Sequence, residues 1–267
     1  MDMFHAMLLR FLLFLNPDIG FQYGMVTKNC YTFPKEADLL CFHTVCNDGE
    51  LAYQDVESIV RYFGATEFDW VVHEQDIFSQ MILKECGFIN YFNLPAMKYD
   101  LEFCLYENAD NVKEIIGCDG KGIDHFAHVK AQSGGDSVQE NLNKIYYLTS
   151  NIYDASLLHM YVAYDCDVPV AAGIMLQSSQ NVATLHAIAV IPEARGKGFA
   201  KAIVKKALWD AKQQGCSQAV LLSSAMGKPL YEKIGFKDYA QYCVYTLPSR
   251  IKKSVHYDFF LKNEIHE

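Results

Sequence analysis

The spacing of apolar and polar positions changes sharply in the C-terminal half of the chain and predicts three successive elements there. The apolar run Ile188–Ile191 predicts a buried strand, which should end at Pro192 because proline cannot donate a hydrogen bond to a neighbouring strand. After Gly196 and Gly198, apolar residues recur at helical spacing until Gly215, a typical helix stop. Glycine lets the loop N–H groups approach a bulky anion at the positive end of the helix, so this stretch predicts a phosphate site.

The same patterning predicts further strands and a short helix around this stretch. Three apolar segments separated by polar turns predict antiparallel strands, and a strand and a short helix follow the glycine loop and its helix. The short helix should have Pro229 in its first turn and end at Gly235. These elements cover residues 157–164, 169–176, 182–190, 217–225 and 227–236.

Two of these segments resemble the signatures of one enzyme family. Arg195–Ala200 is similar to the R-x-x-G-x-G/A acyl-CoA loop of the GNAT N-acyltransferases. Leu230–Phe236 resembles the second GNAT signature, in which a tyrosine precedes Gly-Phe. The resemblance spans roughly residues 110–248. It implies an α+β fold, in which a mostly antiparallel mixed sheet is flanked by helices.

The resemblance also implies how the cosubstrate acetyl-CoA is held. In this family the pantetheine arm lies along the strand before the loop, and amides of the loop and helix bind the diphosphate. Arg195 either braces the loop or reaches phosphate, each lysine is either a phosphate ligand or solvated, and Ser224 replaces an asparagine that binds the cofactor in many members. The implied residues are Ile188, Ala189, Val190, Arg195, Gly196, Lys197, Gly198, Phe199, Ala200, Lys201 and Ser224.

GNAT enzymes transfer the acetyl group directly to an amine, without a covalent enzyme intermediate, and this implies roles for two residues. Tyr231 matches the family tyrosine that protonates the departing thiolate; the alternative is a tyrosine that only packs in the core. An alkylamine must lose a proton before it attacks, and His186 stands where many members have a glutamate, so we expect it to be the base. The alternative is a hydrogen-bonded histidine that lines the sheet.

The N-terminal half repeats the order of elements of the C-terminal half. A shift that lays Gly87 on Gly235 places Glu50 on Gly198, where a carboxylate would repel a diphosphate. This half is therefore expected to have lost its cofactor site. The predicted elements are strands at 38–45, 68–73 and 97–105 and helices at 54–63 and 76–85.

The repeat implies a domain organisation. Phe68-Asp-Trp70 is similar to a segment of some two-domain bacterial members of the family, so the whole chain resembles the tandem type. We expect a degenerate GNAT-like domain at 1–108, a catalytic domain at 109–248 and a tail at 249–267.

Composition limits the partners and the compartment. A net charge of −9 and a pI near 5.5 disfavour nucleic acid; they are compatible with a cationic amine, although solubility alone also accounts for them. Nine cysteines without a C-x-x-C pair favour free thiols in the cytoplasm.

The apolar run Met3–Leu15 is too short to span a bilayer and predicts a packed helix, with a membrane-surface role as the alternative. His125 and His128 lack a third ligand, so we expect no metal. The chain is expected to be a monomer or a homodimer.

Three functions follow from these observations. The first is an acetyl-CoA-dependent N-acetyltransferase of a small-molecule amine or amino-acid-like metabolite. A protein or peptide N-terminus or a lysine is the alternative acceptor. The second is a CoA-binding regulatory module without catalysis, which the replacement at Ser224 and the missing glutamate would permit. The third is a scaffold in which the degenerate N-terminal half binds a partner.

Overall fold

The computed structural model describes residues 24–27, 30–32, 44–47, 49–66, 68–107, 109–115, 119–134, 137–151, 155–177 and 181–248. The predicted helix at Met3–Leu15 and the tail at 249–267 lie outside these residues. In chain order the elements are β1 (Gly24–Thr27), β2 (Cys30–Thr32), β3 (Thr44–Asn47), α1 (Tyr53–Phe63), β4 (Asp69–His73), α2 (Ile77–Glu85), β5 (Ile89–Asp100), β6 (Val112–Ile115), α3 (Gly120–Ser133), α4 (Val138–Asn151), β7 (Leu158–Asp165), β8 (Val168–Gln177), β9 (Val182–Val190), α5 (Phe199–Gln213), β10 (Gln218–Leu222), α6 (Lys228–Ile234) and β11 (Lys237–Thr246).

The described residues form two compact units. The first unit contains those up to Ala96 together with those from Asp238 onward, and the second unit is Met97–Lys237. These boundaries differ from the predicted ones at 108 and 248. Sequence reasoning placed the first boundary at a polar join near Glu107, whereas the structure places it inside β5.

Packing explains both differences. Met97, Tyr99, Leu101 and Cys104 are buried in the same core cluster as α5, so the end of β5 and the residues after it belong to the second unit. β11 pairs antiparallel with β4 and contributes Tyr245 to the core of the first unit. The predicted strand at 97–105 is accordingly the last part of a longer strand, followed by a 3-10 helix at Leu101–Phe103.

The second unit has the mostly antiparallel mixed sheet that the resemblance implied. Its strand order is β10-β9-β8-β7-β6, with β5 beside β10, and the β6–β9 neighbours pair antiparallel while β10 runs parallel to β9. The three predicted antiparallel strands are confirmed as β7, β8 and β9. The expected α+β fold class is confirmed as well.

Helices cover both faces of this sheet. The apolar face of α5 is buried in one cluster with alternate residues of β7, including Tyr161 and Ala163. α3 also packs on β7, β8 and β9, but its buried side chains do not belong to that cluster. Since successive strand residues point to opposite faces, α3 and α5 lie on opposite sides of the sheet.

The first unit repeats the parallel strand pair in shorter form. Its strand order is β1-β2-β3-β4-β11, with β3 parallel to β4 and α1 between them along the chain. Trp70, Phe63 and Leu83 are fully buried in its core.

Candidate functional site

The site in the second unit begins where β9 and β10 stop pairing. The parallel ladder joins Val182–Thr184 to Gln218–Val220. Both strands continue, β9 to Val190 and β10 to Leu222, but among the described residues no further pair joins β9 to β10. Side chains from His186 to Val190 are half-buried, in contrast with the buried residues Ala183 to Leu185 before them. The strands therefore separate and leave one edge of β9 available to a ligand.

A β-bulge in β9 lies at the same level. Ala172 pairs with Ala189 and Ile174 with His186, so two residues of β9 stand opposite Gly173 alone. The first of the two, Ala187, has a φ of 54°, a left-handed conformation that is uncommon for alanine. The bulge re-aims the strand at the point where it leaves β10.

Gly173 makes room for this bulge. A Cβ at Gly173 would lie 2.5 Å from Cδ1 of Ile188 and 2.8 Å from Cγ2 of Ile203 in α5. Ile188 can therefore approach β8 and α5 only because residue 173 has no side chain. Sequence reasoning did not identify Gly173 or Ala187, since the bulge depends on the register between two strands.

The glycine loop presents an array of unpaired N–H groups. Gly196 and Gly198 have φ values of 77° and 90°, and Gly198 is the N-cap of α5. The first backbone donor bonded within the helix is Ala202, which donates to the Gly198 carbonyl. None of the six N–H groups from Gly196 to Lys201 donates to a described residue. We call these six groups the amide cradle; its donors and the helix dipole fit an anionic group such as a diphosphate.

Charged side chains around the cradle have protein partners. Arg195 donates from Nε to the Val190 carbonyl and from Nη2 to the Ser133 carbonyl, both at 3.3 Å. It thus ties the loop to the end of β9 and to α3, as the bracing alternative supposed. Lys197 lies 3.6 Å from Asp165, and both side chains are exposed.

Tyr231 lies in α6 with its ring buried against Phe236, at a centroid distance of 5.6 Å. Its hydroxyl forms no hydrogen bond with any described residue. Burial raises the pKa of Tyr231 well above its usual range, so the phenol keeps its proton at neutral and mildly alkaline pH. The side chain is therefore both a core residue and an uncommitted proton donor.

Ser224 has a structural partner. Its Oγ accepts the Gly227 N–H at 3.1 Å just before α6, which fixes the start of that helix. The hydroxyl proton remains able to donate. A Cβ at Gly227 would lie 3.0 Å from Cε2 of Tyr231 and 3.3 Å from Oγ of Ser224, so these three residues meet at the start of α6.

His186 lies on the half-buried part of β9, and its Nε2 is 2.7 Å from Oγ1 of Thr184. Desolvation lowers the pKa of His186 to about 3, so the imidazole is neutral at physiological pH. The expectation of a base poised near neutrality does not fit this environment, because the desolvated ring has a low affinity for a proton. The hydrogen-bonded alternative fits it better.

The first unit has no equivalent cradle among its described residues. β3 remains paired with β4 through Cys46, one residue from its end, so the two strands do not separate. Ala52, rather than the expected Glu50, is the N-cap of α1 and holds the position that Gly198 has in α5. The Ala52 N–H donates to the Asp55 carboxylate at 3.0 Å, which therefore occupies this helix N-terminus.

Metal ligands and membrane-spanning helices are both absent from the described residues. No group of three or more His, Cys, Asp and Glu side chains is placed to hold a metal ion there. Within the same part of the chain, no helix combines the length and the apolar character needed to cross a membrane.

Comparison with known proteins places this site in context. The sequence profile of the Acetyltransferase (GNAT) domain matches residues 156–238. The uncharacterized N-acetyltransferase YjgM of Escherichia coli K12 is 30% identical over 120 residues, 42% of this chain and 70% of that protein. A GCN5-related N-acetyltransferase from Kribbella flavida has a similar structure, with a TM-score of 0.67 over 91% of this chain and 95% of its own, at 12% identity. A tandem GNAT protein from the clavulanic acid biosynthesis pathway has a similar structure as well, with a TM-score of 0.55 over 82% of this chain and 78% of its own, at 10% identity. The structural likenesses show the fold, and the residues matched by the GNAT-domain profile include the amide cradle.

Proposed function

Because the chain belongs to the GNAT family of acetyltransferases, we propose that its second unit transfers an acetyl group from acetyl-CoA to the primary amine of a small molecule or an amino-acid-like metabolite. The observation that carries the proposal is the amide cradle, six unpaired N–H groups at the start of α5, beside the edge of β9 that is no longer paired with β10.

A cytoplasmic location is part of the proposal. It is supported by the free cysteines among the described residues, such as the buried Cys30 and Cys216.

The residues of the site fit the cosubstrate as follows. The amide cradle binds the diphosphate, and the free edge of β9 at Ile188–Val190 offers backbone groups to the amides of the pantetheine arm. Bound acetyl-CoA supplies an activated acetyl thioester. Arg195 keeps the loop in place through its two carbonyl contacts, and the Ser224 hydroxyl offers one further donor.

Tyr231 is proposed as the general acid. Its phenol is protonated and its hydroxyl forms no bond with a described residue, so it can donate to the sulfur of the departing thiolate. The ring is held by Phe236 and by the close approach of Gly227, which limits the positions of the hydroxyl.

His186 is proposed as a positioning residue and not as the group that stores the proton of the amine. The neutral imidazole is hydrogen-bonded to Thr184, and its low pKa makes it a weak base for the proton of the amine. The amine then loses its proton to solvent before attack.

This assignment predicts that His186→Asn raises KM for the acceptor. The same substitution should not remove an ionisation near neutral pH from the dependence of the rate on pH.

The test is release of free CoA thiol over a panel of amines, with acetyl-CoA as donor. We expect turnover with at least one small primary amine. Gly198→Glu should abolish acetyl-CoA binding, because it places a carboxylate at the cradle and strains a position whose φ is 90°.

Gly215→Glu is the matched control. Gly215 also has a left-handed φ, 86°, with open space around its Cα, but it follows the far end of α5. We expect it to retain binding. If neither acetyl-CoA binding nor turnover is found with the unmodified protein, the proposal is wrong; turnover only on peptides would instead assign a protein or peptide acceptor.

A further inference from the structure

Lys201, whose N–H is the last of the amide cradle, and Lys205, one turn further along α5, share Glu107 as an ion-pair partner. Glu107 contacts Lys205 at 3.0 Å and Lys201 at 3.5 Å. The Lys205 side chain is 13% exposed, against 52% for Lys201 and 44% for Glu107. Lys205 is therefore an almost buried ammonium group that needs a nearby anion, and in this structure a carboxylate of the chain provides it.

Glu107 is held beside α5 by contacts of its own segment. Lys212 donates to the carbonyls of Glu102 at 2.9 Å and Cys104 at 2.8 Å, and the Tyr106 ring packs edge-on against Trp209 at 5.3 Å. These contacts do not involve Lys201 or Lys205. The segment should consequently stay in place when the charge of Glu107 is removed.

The two ammonium groups stabilise a negative charge between them. The hydrogen bond from Lys205, reinforced by the charge of Lys201, holds the pKa of Glu107 below its usual range. α5 rises about 1.5 Å per residue, so Lys201 and Lys205 follow Gly198 by roughly 4.5 and 10.5 Å along the axis. Helical side chains lean toward the N-terminus, which brings both ammonium groups back toward the amide cradle.

We propose that Lys201 and Lys205 form a second anion subsite, which recognises the 3′-phosphate on the nucleotide end of CoA, and that Glu107 occupies it as an internal carboxylate in the free protein. This inference rests on the proposed function, since it takes CoA as the ligand of the cradle. The 3′-phosphate is one ribose away from the diphosphate and carries up to two negative charges. A dianionic phosphate binds two ammonium groups more strongly than one carboxylate does, so it displaces Glu107.

The experiment compares CoA with 3′-dephospho-CoA by calorimetry, which requires no acceptor and no turnover. Glu107→Gln should tighten CoA binding about 3- to 10-fold, because it frees both lysines, and should change the affinity for 3′-dephospho-CoA by less than about 2-fold. Lys205→Gln should weaken CoA binding by a similar factor and leave 3′-dephospho-CoA nearly unaffected.

Lys206→Gln is the matched control, because it removes one charge from the same helix but from a lysine that is paired with Asp210 at 2.6 Å. It should leave the affinity ratio of the two ligands unchanged. Thermal unfolding of each variant establishes that it is folded. Equal affinities for the two ligands in the unmodified protein and in Glu107→Gln would overturn the subsite and leave the proposed function intact. If neither ligand binds the unmodified protein or any folded variant, both the subsite and the proposed function are overturned.

Discussion

Tyr231 is the residue on which the proposed chemistry depends most. Tyr231→Phe keeps the ring packing on Phe236 and removes only the hydroxyl, which forms no hydrogen bond with a described residue. We expect acetyl-CoA affinity to hold while turnover at neutral pH falls about 10²-fold, the low end for general acid catalysis, because a thiolate is a tolerable leaving group. The loss should shrink at lower pH, where solvent supplies the proton more readily.

A control in the same aromatic cluster separates packing from catalysis. Tyr99 also packs on Phe236, at 5.3 Å, and Tyr99→Phe removes a hydroxyl from that cluster. Its turnover should match the unmodified protein. Equal turnover of Tyr231→Phe and Tyr99→Phe at saturating acetyl-CoA would leave Tyr231 with a packing role only.

The pair formed by Glu114 and His159 predicts a dependence of stability on pH. His159 Nδ1 donates to Oε1 of Glu114 at 2.6 Å, and this bond lowers the pKa of Glu114. Because the pKa of Glu114 is lower in the folded protein than its unfolded value near 4.5, the charged carboxylate stabilises the fold above pH 4.5, and this stability is lost as the pH falls through the folded-state pKa. Glu114→Gln should therefore lower the free energy of unfolding most at neutral pH, and the difference between this variant and the unmodified protein should narrow below pH 4.5.

Urea titrations at several pH values measure this difference. Glu232→Gln, which removes an exposed carboxylate from the same unit, provides the comparison. If the difference in free energy of unfolding between Glu114→Gln and the unmodified protein stays constant from pH 7 to pH 3, the charge of Glu114 is not coupled to folding.

The contact between β8, the bulge of β9 and α5 controls the shape of the site. Gly173→Ala places a Cβ within 2.5 Å of Ile188 and 2.8 Å of Ile203. We expect a loss of roughly 1–3 kcal/mol in the free energy of unfolding, as for other overpacked cores. Acetyl-CoA affinity should fall with it, because Ile188 is displaced at the strand edge proposed for pantetheine.

A double variant identifies the cause. Ile188→Val removes Cδ1, the atom that would lie closest to a Cβ at residue 173, and should recover part of the stability and affinity that Gly173→Ala loses. Additive losses in the double variant would mean that the two side chains do not compete for the same space.

Local signals allowed some elements to be predicted and others not. The glycine loop and α5 were predictable, because φ preference and helical periodicity act within a few residues. α4 was not predicted, although Ser137 and Glu140 form a capping box, with the Ser137 N–H donating to Glu140 at 2.7 Å and the Glu140 N–H to Ser137 Oγ at 3.2 Å. The bulge at Ala187 and the environment of His186 could not be predicted, since both depend on which strands pair and where pairing ends.

The order of strands and helices along the chain was predictable from the sequence, but the division of the chain into two units was not. The repeat of strand, helix, strand and helix is visible in sequence, and α1, β4 and α2 confirm it. The sequence contains no sign that β11 pairs with β4, or that residues from Met97 onward are buried with α5. A polar segment such as Glu107–Asn111 predicts a linker, yet Glu107 is bound by two lysines of the second unit.

We expect each chain to bind one acetyl-CoA. In the first unit the N-terminus of α1 already binds the Asp55 carboxylate. The Asn47 side chain accepts from Trp70 Nε1 at 3.2 Å and donates to Ser79 Oγ at 3.1 Å, so the end of β3 is tied into the buried interior of that unit. Because β3 and β4 stay paired, Asp55→Asn should not create a second site. Calorimetry should give one acetyl-CoA per chain for the unmodified protein and for Asp55→Asn, and none for Gly198→Glu. Two sites per chain, or one remaining in Gly198→Glu, would contradict the assignment of the cofactor to the second unit alone.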